Sequence, residues 1–364
     1  FGTDAEQSGG YMALLRALVK GIEADVFQDV DYPYFRFVDF WLREGGDNPD
    51  QKYAFSPVRG GADYRVWGTL GSARRIEFQL YSGQPWAGTG RSVGYLAFED
   101  IELNPDGSFE VHVTSASREG NWLEMPSDAT TIFARHIYDE WTDETPGTLH
   151  IDRIGYEGKR RPQLSTEELA ARLRKAGATF ERTATTWPAF VAERYVASLE
   201  RNTMPEPVDT YALGGAKGRW MSNGYFDLEP DEALLITTWP TKAQYQAIQL
   251  TDMWFASLES ANQVSSLTTK QSLLSPDGAY YTVVSATDPG HANWLDTGGL
   301  PRGVILMRYD GVQGKLPESQ YPSARRVPLA EIPKLIPGFE VVSETERARV
   351  RAARRKHLQL RSGR

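Results

Sequence analysis

The sequence predicts a mainly β fold with helical segments, arranged as two tandem, jelly-roll-like β-sandwich domains related by duplication. Three observations carry that expectation. Short runs alternate apolar and polar residues with turn signals between them, the period-two signature of strands. Two stretches about 172 residues apart, "NWLEMPSDATTIFARHIYDEW" from Asn121 and "NWLDTGGLPRGVILMRYDG" from Asn293, say nearly the same thing. Helical three-and-four spacing is confined to the start, the middle and the end of the chain.

Taken in order, "YMALLRALVKGIEADVF" places Tyr11, Leu15, Leu18, Ile22 and Val26 on one helical face. In "DYPYFRFVDFWLREGG", Pro33 reads as a helix start, Tyr34, Phe37, Val38 and Trp41 as one face, and Gly45-Gly46 as the stop. Strand texture begins after "DNPD". "RRIEFQLYS" alternates Ile76, Phe78 and Leu80 with Glu77, Gln79 and Tyr81, and "SFEVHVT" alternates Phe109, Val111 and Val113 with Glu110, His112 and Thr114. Both read as half-buried strands. "LSTEELAARLRKAG" then opens a helix on a Ser165–Glu168 capping box, with Gly177 expected to close it. A second helix is expected near Pro188, with Val191, Tyr195 and Leu199 in register. Strands return from about Arg219 to Tyr309, and Ser343 with Glu346 caps a last helix. The implied organisation is an N-terminal helical segment (1–46), a first sandwich (47–160), interdomain helices (161–205), a second sandwich (206–340) and a basic C-terminal helix (341–364).

The repeat extends beyond the two NW pairs. Pro105-Asp106-Gly107 and Pro276-Asp277-Gly278 each form a turn signal upstream of an NW, and each leads into a strand. Further upstream, Gln79-Leu80 lines up with Gln249-Leu250. Downstream, Arg135, Tyr138 and Asp139 are matched to Arg308, Tyr309 and Asp310. In each unit the Asn is suited to bonding backbone at a strand entrance, and Trp122 and Trp294 to plugging the end of a core.

Composition bounds the function. At 364 residues the chain is long enough for two cores. Its 10 Trp, 17 Tyr and 15 Phe serve either cores or a ring-binding cleft. A net charge of −8 argues against nucleic acid as a partner. Seven Arg and one Lys fall between Arg347 and Arg364 with no acid, so the remainder carries −16. That tail helix has almost no apolar stripe; it is expected to lie across the acidic body, brace a second subunit of a homo-oligomer, or stay solvated. The absence of cysteine excludes disulfides and thiolate sites. No apolar run is long enough for a membrane span. The expectation is a soluble protein, with the cytoplasm preferred and, because the chain opens at Phe1, a processed or trimmed start.

"DPGHANWLDTGGLPRGVILMRYDG" (288–311), with "QLTDMWFASLES" and "SSLTTKQSLLSPDG" before it, resembles the bacterial domain of unknown function 1214. The D-P-G-x-x-N-W-L-D-T-x-G-x-x-x-G signature of that family is matched from Asp288 through Gly303. The first copy departs from it, with "SREG" in place of Asp-Pro-Gly and "EMPSDA" in place of the Asp-Thr-Gly stretch. The resemblance implies a mainly β fold and supplies no activity, cofactor or catalytic set.

The five histidines show neither HxH nor HExxH spacing, so no metal ligands are assigned, and no cofactor either. "GGAKGRW" lacks phosphate-loop spacing, and no GxSxG elbow is present. What remains is carboxylate and imidazole chemistry. Asp252, Asp288 and His291 form the candidate acid–base set, and Trp254, Asn293, Trp294, Asp296, Arg308 and Tyr34 the candidate substrate contacts. Against this, Asp288 and Asp296 precede Pro/Gly turns, Trp254 suits a core, and Arg135 and Arg308 suit scaffold ion pairs with a loop Asp. The expectation is a cofactor-independent hydrolase or lyase acting on a ring-bearing small molecule, a glycoside or a terpenoid or aromatic compound, in an aromatic cleft between the sandwiches. The alternatives are a binding protein using the same cleft and an assembly protein.

Overall fold

The computed structural model describes residues 2–83, 90–213 and 215–362; Gly214 of "GGAKGRW" and Arg364 of the basic tail lie outside them. Among the described residues nine strands build the first half: β1 (Arg36–Val38), β2 (Gln51–Pro57), β3 (Tyr64–Gly71), β4 (Arg75–Ser82), β5 (Arg91–Leu96), β6 (Ser108–Thr114), β7 (Trp122–Glu124), β8 (Thr131–Ile137) and β9 (Pro146–Arg153). Nine more build the second: β10 (Val208–Asp209), β11 (Trp220–Asp227), β12 (Glu232–Thr238), β13 (Tyr245–Thr251), β14 (Ser266–Thr268), β15 (Tyr280–Ser285), β16 (Trp294–Asp296), β17 (Arg302–Asp310) and β18 (Ser323–Pro328).

The first half pairs as β1-β2-β8-β4-β5 and β7-β6-β3-β9, the second as β10-β11-β17-β13-β14 and β16-β15-β12-β18. Adding nine to every strand number of the first half gives the second. In each half a single parallel pair, β6 with β7 and β15 with β16, interrupts an otherwise antiparallel sandwich. The duplicated architecture is thus present in full. Trp122 and Trp294 open equivalent strands, and their indole Nε1 atoms donate to Thr114 O and Ser285 O, both at 3.1 Å. Asn121 bonds the backbone of Glu102, and Asn293 does the same to Leu273.

One face of each five-stranded sheet fills its own core, with Ile76, Phe78 and Leu80 in one and Ile248, Leu250 and Ile305 in the other. The opposite faces meet each other. Every residue from Arg75 to Tyr81 and from Tyr245 to Thr251 is buried, so the half-buried expectation fails for "RRIEFQLYS". Its polar face is covered by the second sandwich. There Arg135 bonds Glu77 (3.1 Å) and Gln79 (2.9 Å), and Arg219 grips Asp310 at 2.6 and 2.7 Å. Tyr245 donates to Asp50 (2.6 Å) and accepts from Asn48 (2.8 Å).

Strand register corrects the downstream match. Gln79 faces Phe133 and Gln249 faces Leu306, which makes Arg135 equivalent to Arg308 but makes Tyr309 and Asp310 the equivalents of His136 and Ile137. Glu77 therefore corresponds to Ala247, and Arg308 meets no carboxylate at that position. It donates to Gln249 Oε1 and Gly46 O instead of the expected loop Asp.

The helices depart further from expectation. Helix α1 (Asp4–Gly21) runs into a π turn to Phe27, and α2 (Thr166–Val191) into another to Val196. The Ser165–Glu168 capping box is formed. Gly177 does not end α2, because it takes helical backbone and nothing crowds it, and Pro188 lies inside the last turns. Residues 34–46 form no helix. Arg36–Val38 pairs with β2 as an edge strand, where the alternation of Arg36 and Val38 with Phe37 finds a partner. The apolar face of α1 points outward, with Tyr11 69%, Leu15 56% and Leu18 46% exposed.

A short α3 (Ile332–Leu335) precedes α4 (Glu344–Ser362), the basic helix. It lies across the body of its own chain, held by arginines at a seven-residue interval. Arg347 clamps Asp288 through two bonds (2.8 and 2.7 Å). Arg354 donates to Ser260 O, Ser266 O and Ser266 Oγ over the face of Trp141. Arg361 reaches Pro49 O (2.5 Å). Because Trp141 and Pro49 belong to the first half and the serines to the second, α4 straps the two sandwiches together. Of the outcomes expected for the basic helix, lying across the body is the one observed for Arg347, Arg354 and Arg361. Among the described residues no helix is long and apolar enough to cross a membrane.

Candidate functional site

The seam between the sandwiches is filled by the polar network, and a cavity lined by Asp47, Asn48, Gln51 and Arg361 holds only about 30 Å³. A larger pocket of about 370 Å³ lies elsewhere, between α1 (from Gln7 to Ala17), the C-terminal half of α2 and the loop after β13. Volumes of this order suit a small organic ligand.

Its walls follow from local sequence. Gly9 and Gly10 let α1 approach the Trp254 indole; a Cβ on Gly10 would stand 2.6 Å from Trp254 Cζ2. The indole Nε1 donates to Glu6 O at 2.8 Å, which fixes the ring. Asp252 shapes the loop by accepting from Trp254 N (2.9 Å) and Ala256 N (3.0 Å). The loop also holds Phe255 at φ 65°, a conformation that costs a bulky residue strain. Phe255 is kept there by a bond from Gly46 N (2.7 Å) and by packing against Trp187. Trp187 forms the α2 wall, and Tyr11 and Leu14 the α1 wall.

The charged groups are Arg16, Arg43 and Glu44. Arg16 Nε donates to Trp41 O, Glu44 is paired with Lys20 (2.7 Å), and Arg43 Nη1 donates to Ser257 O (2.7 Å). Arg43 Nε is buried and has no hydrogen-bond partner among the described residues. Burial pushes the Asp252 carboxyl up to about 6, against the backbone donors and the charges of Arg16 and Arg43. Asp47 is also raised by burial, and it accepts from Ser257 N and Oγ.

Of the residues singled out in the sequence, Asp252 and Trp254 belong to this region. Asp288 and His291 do not. Asp288 is clamped by Arg347 and caps its own turn through Gly290 N. His291 is buried, its Nε2 facing Tyr281 O (3.0 Å), and burial lowers its basicity. The partners of Asp252 and those of the Asp288–His291 pair have no member in common. Asn293 and Trp294 are spent on backbone bonds, Asp296 caps the turn at Gly298 (2.8 Å), and Arg308 sits in the seam. Tyr34 is 71% exposed and is not among the residues that line the pocket. Tyr11, Leu14, Arg16, Arg43 and Trp187 escaped sequence reasoning, although a Gly-Gly pair inside a helical pattern signals close approach of another group. Among the described residues no group of three or more His, Asp or Glu side chains is placed to hold a metal ion.

No family model and no curated protein matches the chain. Among solved structures it is similar to an uncharacterized protein from Burkholderia cenocepacia, with 28% identity, a TM-score of 0.83 and 91% of each chain covered. It is also similar to the VPA0106 protein from Vibrio parahaemolyticus, with 12% identity, a TM-score of 0.49, and 89% of this chain and 98% of that one covered. The Burkholderia likeness extends through both halves and bears out the mainly β, tandem-sandwich architecture.

Proposed function

We propose that this chain binds a ring-bearing small molecule in the pocket between α1, α2 and the Trp254 loop. The observation that carries the reading is a cavity of about 370 Å³ whose walls offer two indoles and a phenol beside two guanidinium groups. A flat apolar ring fits between Trp187 and Trp254, and the arginines suit a polar or acidic substituent. Membership of the domain of unknown function 1214 family, resting on Asp288–Gly303, is part of the same proposal.

Binding without turnover is favoured because the acid–base set is dispersed, with Asp288 and His291 bonded under α4. A hydrolase or lyase reading keeps one supporting observation: Asp252, whose carboxyl burial raises to about 6, lies in the same loop as Trp254 of the pocket wall. A panel of aromatic acids, terpenoids and glycosides, followed by tryptophan fluorescence and product analysis, separates the two. Ligand binding without product is expected, weakened at least tenfold by Ala184→Phe, which fills the pocket from the α2 wall. If no compound binds, or if Ala184→Phe leaves binding intact, the proposal fails. Turnover abolished by Asp252→Asn would establish the enzymatic reading instead.

A further inference from the structure

The two sides of α1 are inverted with respect to burial. Gly10, Ala17 and Gly21 face inward, so tightly that a Cβ on Gly21 would lie 2.6 Å from Ala176 O of α2. The large apolar residues of the helix, Tyr11, Met12, Leu14, Leu15, Leu18 and Val19, are all exposed. At 3.6 residues per turn they share one face. A chain that remains alone in water gains nothing from that arrangement, since the hydrophobic effect buries large side chains before small ones.

We propose that this outward face of α1 is the interface between two copies of the chain. By their fractional exposures the six side chains present on the order of 500 Å², more than half of the roughly 800 Å² that each partner contributes to a stable dimer. Leu169 and Leu173 of α2 and Phe27, all exposed, add to the apolar surface of the same helical hairpin. A two-fold axis across the helix runs the copies antiparallel. That opposes their macrodipoles, each N-terminal turn lying toward the C-terminal turn of the other copy. A lipid surface is the poorer occupant. The two cations of α1 are engaged within the chain, Arg16 with Trp41 O and Lys20 with Glu44, and the net charge is −8. Tyr11 and Leu14 also line the pocket, so the proposed interface and the pocket share two residues.

Sedimentation velocity of the whole chain over a dilution series tests this, with Leu15→Glu and Leu18→Glu as interface variants. The expected result is a dimer that dissociates on dilution, and monomeric variants with unchanged circular dichroism. Because the chain contains no cysteine, single replacements give a second measurement that does not depend on a disruptive charge. One of Tyr11→Cys, Leu15→Cys and Leu18→Cys should form a disulfide-linked dimer under mild oxidation, while the exposed control Ala197→Cys should not. A chain that stays monomeric at micromolar concentration, or cross-links no faster at α1 than at the control, overturns the proposal. So does a monomer that co-sediments with phosphatidylcholine–phosphatidylglycerol vesicles.

Discussion

The first and last helices contradict their compositions. Helix α1 carries the apolar stripe and shows it to water; α4 carries the arginines and buries Arg347, Arg354 and Arg361. The reason lies in what each helix meets. Beyond the buried Glu6 of its first turn, the α1 helix meets Trp254 and α2 at van der Waals distance, and its buried positions there are glycine and alanine. The α4 helix crosses the junction of two sandwiches, where chain ends and turns leave carbonyls such as Pro49 O, Ser260 O and His291 O. Those acceptors need donors, and a guanidinium offers five. Burial here follows complementarity of groups rather than hydropathy.

The sharpest way to break this comparison is to remove a buried arginine. Arg354, 2% exposed, donates to three acceptors and stacks 3.9 Å from Trp141. Arg354→Ala leaves those acceptors unpaired and is expected to cost about 3 kcal/mol in urea unfolding. Lys356→Ala, one turn face away and exposed, should stay within about 0.5 kcal/mol. Equal losses would mean that α4 contributes only through its general charge.

Next in size is the carboxylate that ties α1 to the second sandwich. Burial by itself would raise the Glu6 pKa, but hydrogen bonds from Arg302 (2.9 Å each) and Thr3 hold it down to about 2. A depressed folded value contributes stability above the ordinary 4.5 and loses it as pH falls from there toward 2. Asp252, raised to about 6, works in the opposite sense: its ionisation opposes folding, and that penalty is relieved as pH falls from 6 toward 3.8. Glu6→Gln should cost about 2 kcal/mol at neutral pH and flatten the acid limb of the stability profile. Asp252→Asn should remove the gain between pH 6 and 4. Acid limbs that superimpose in Glu6→Gln and the parent chain would show that another group governs that range.

How much of this was legible in the sequence depended on the range of the interactions involved. Asn121 and Asn293 bond backbone within one sandwich end, and the PDG turns are local, so the duplication was readable. Glu77 and Gln79 look like any solvent face, because alternation marks two faces without saying what covers the second. Arg308 was assigned an acid partner by analogy, but the paired position holds Ala247 where the first copy has Glu77. The pocket was the least readable part. Its walls come from residues near 10, 43, 187 and 254, and only the Gly9-Gly10 pair hinted that something bulky lies against α1.

A smaller effect is expected where the inner side of α1 is enlarged. Gly21→Ala gains up to about 1 kcal/mol of helix propensity, yet it brings a Cβ against the Ala176 carbonyl, and overpacking costs about 1–3 kcal/mol. A net loss of about 1 kcal/mol is the expected balance, read from thermal or urea unfolding. A gain would mean that α1 and α2 separate easily.

The smallest expected effect is the most informative about the outer side. Leu15 is 56% exposed, and Glu is nearly as good a helix former as Leu. In a chain dilute enough to be monomeric, Leu15→Glu should therefore change unfolding stability by less than about 0.5 kcal/mol, whereas a core leucine truncation costs several times that. At higher protein concentration the parent chain should melt at a rising temperature and the variant should not, since association stabilises only the folded form that pairs. A large loss in the dilute monomer would place Leu15 within the chain's own core and return the apolar stripe of α1 to the role its spacing first suggested.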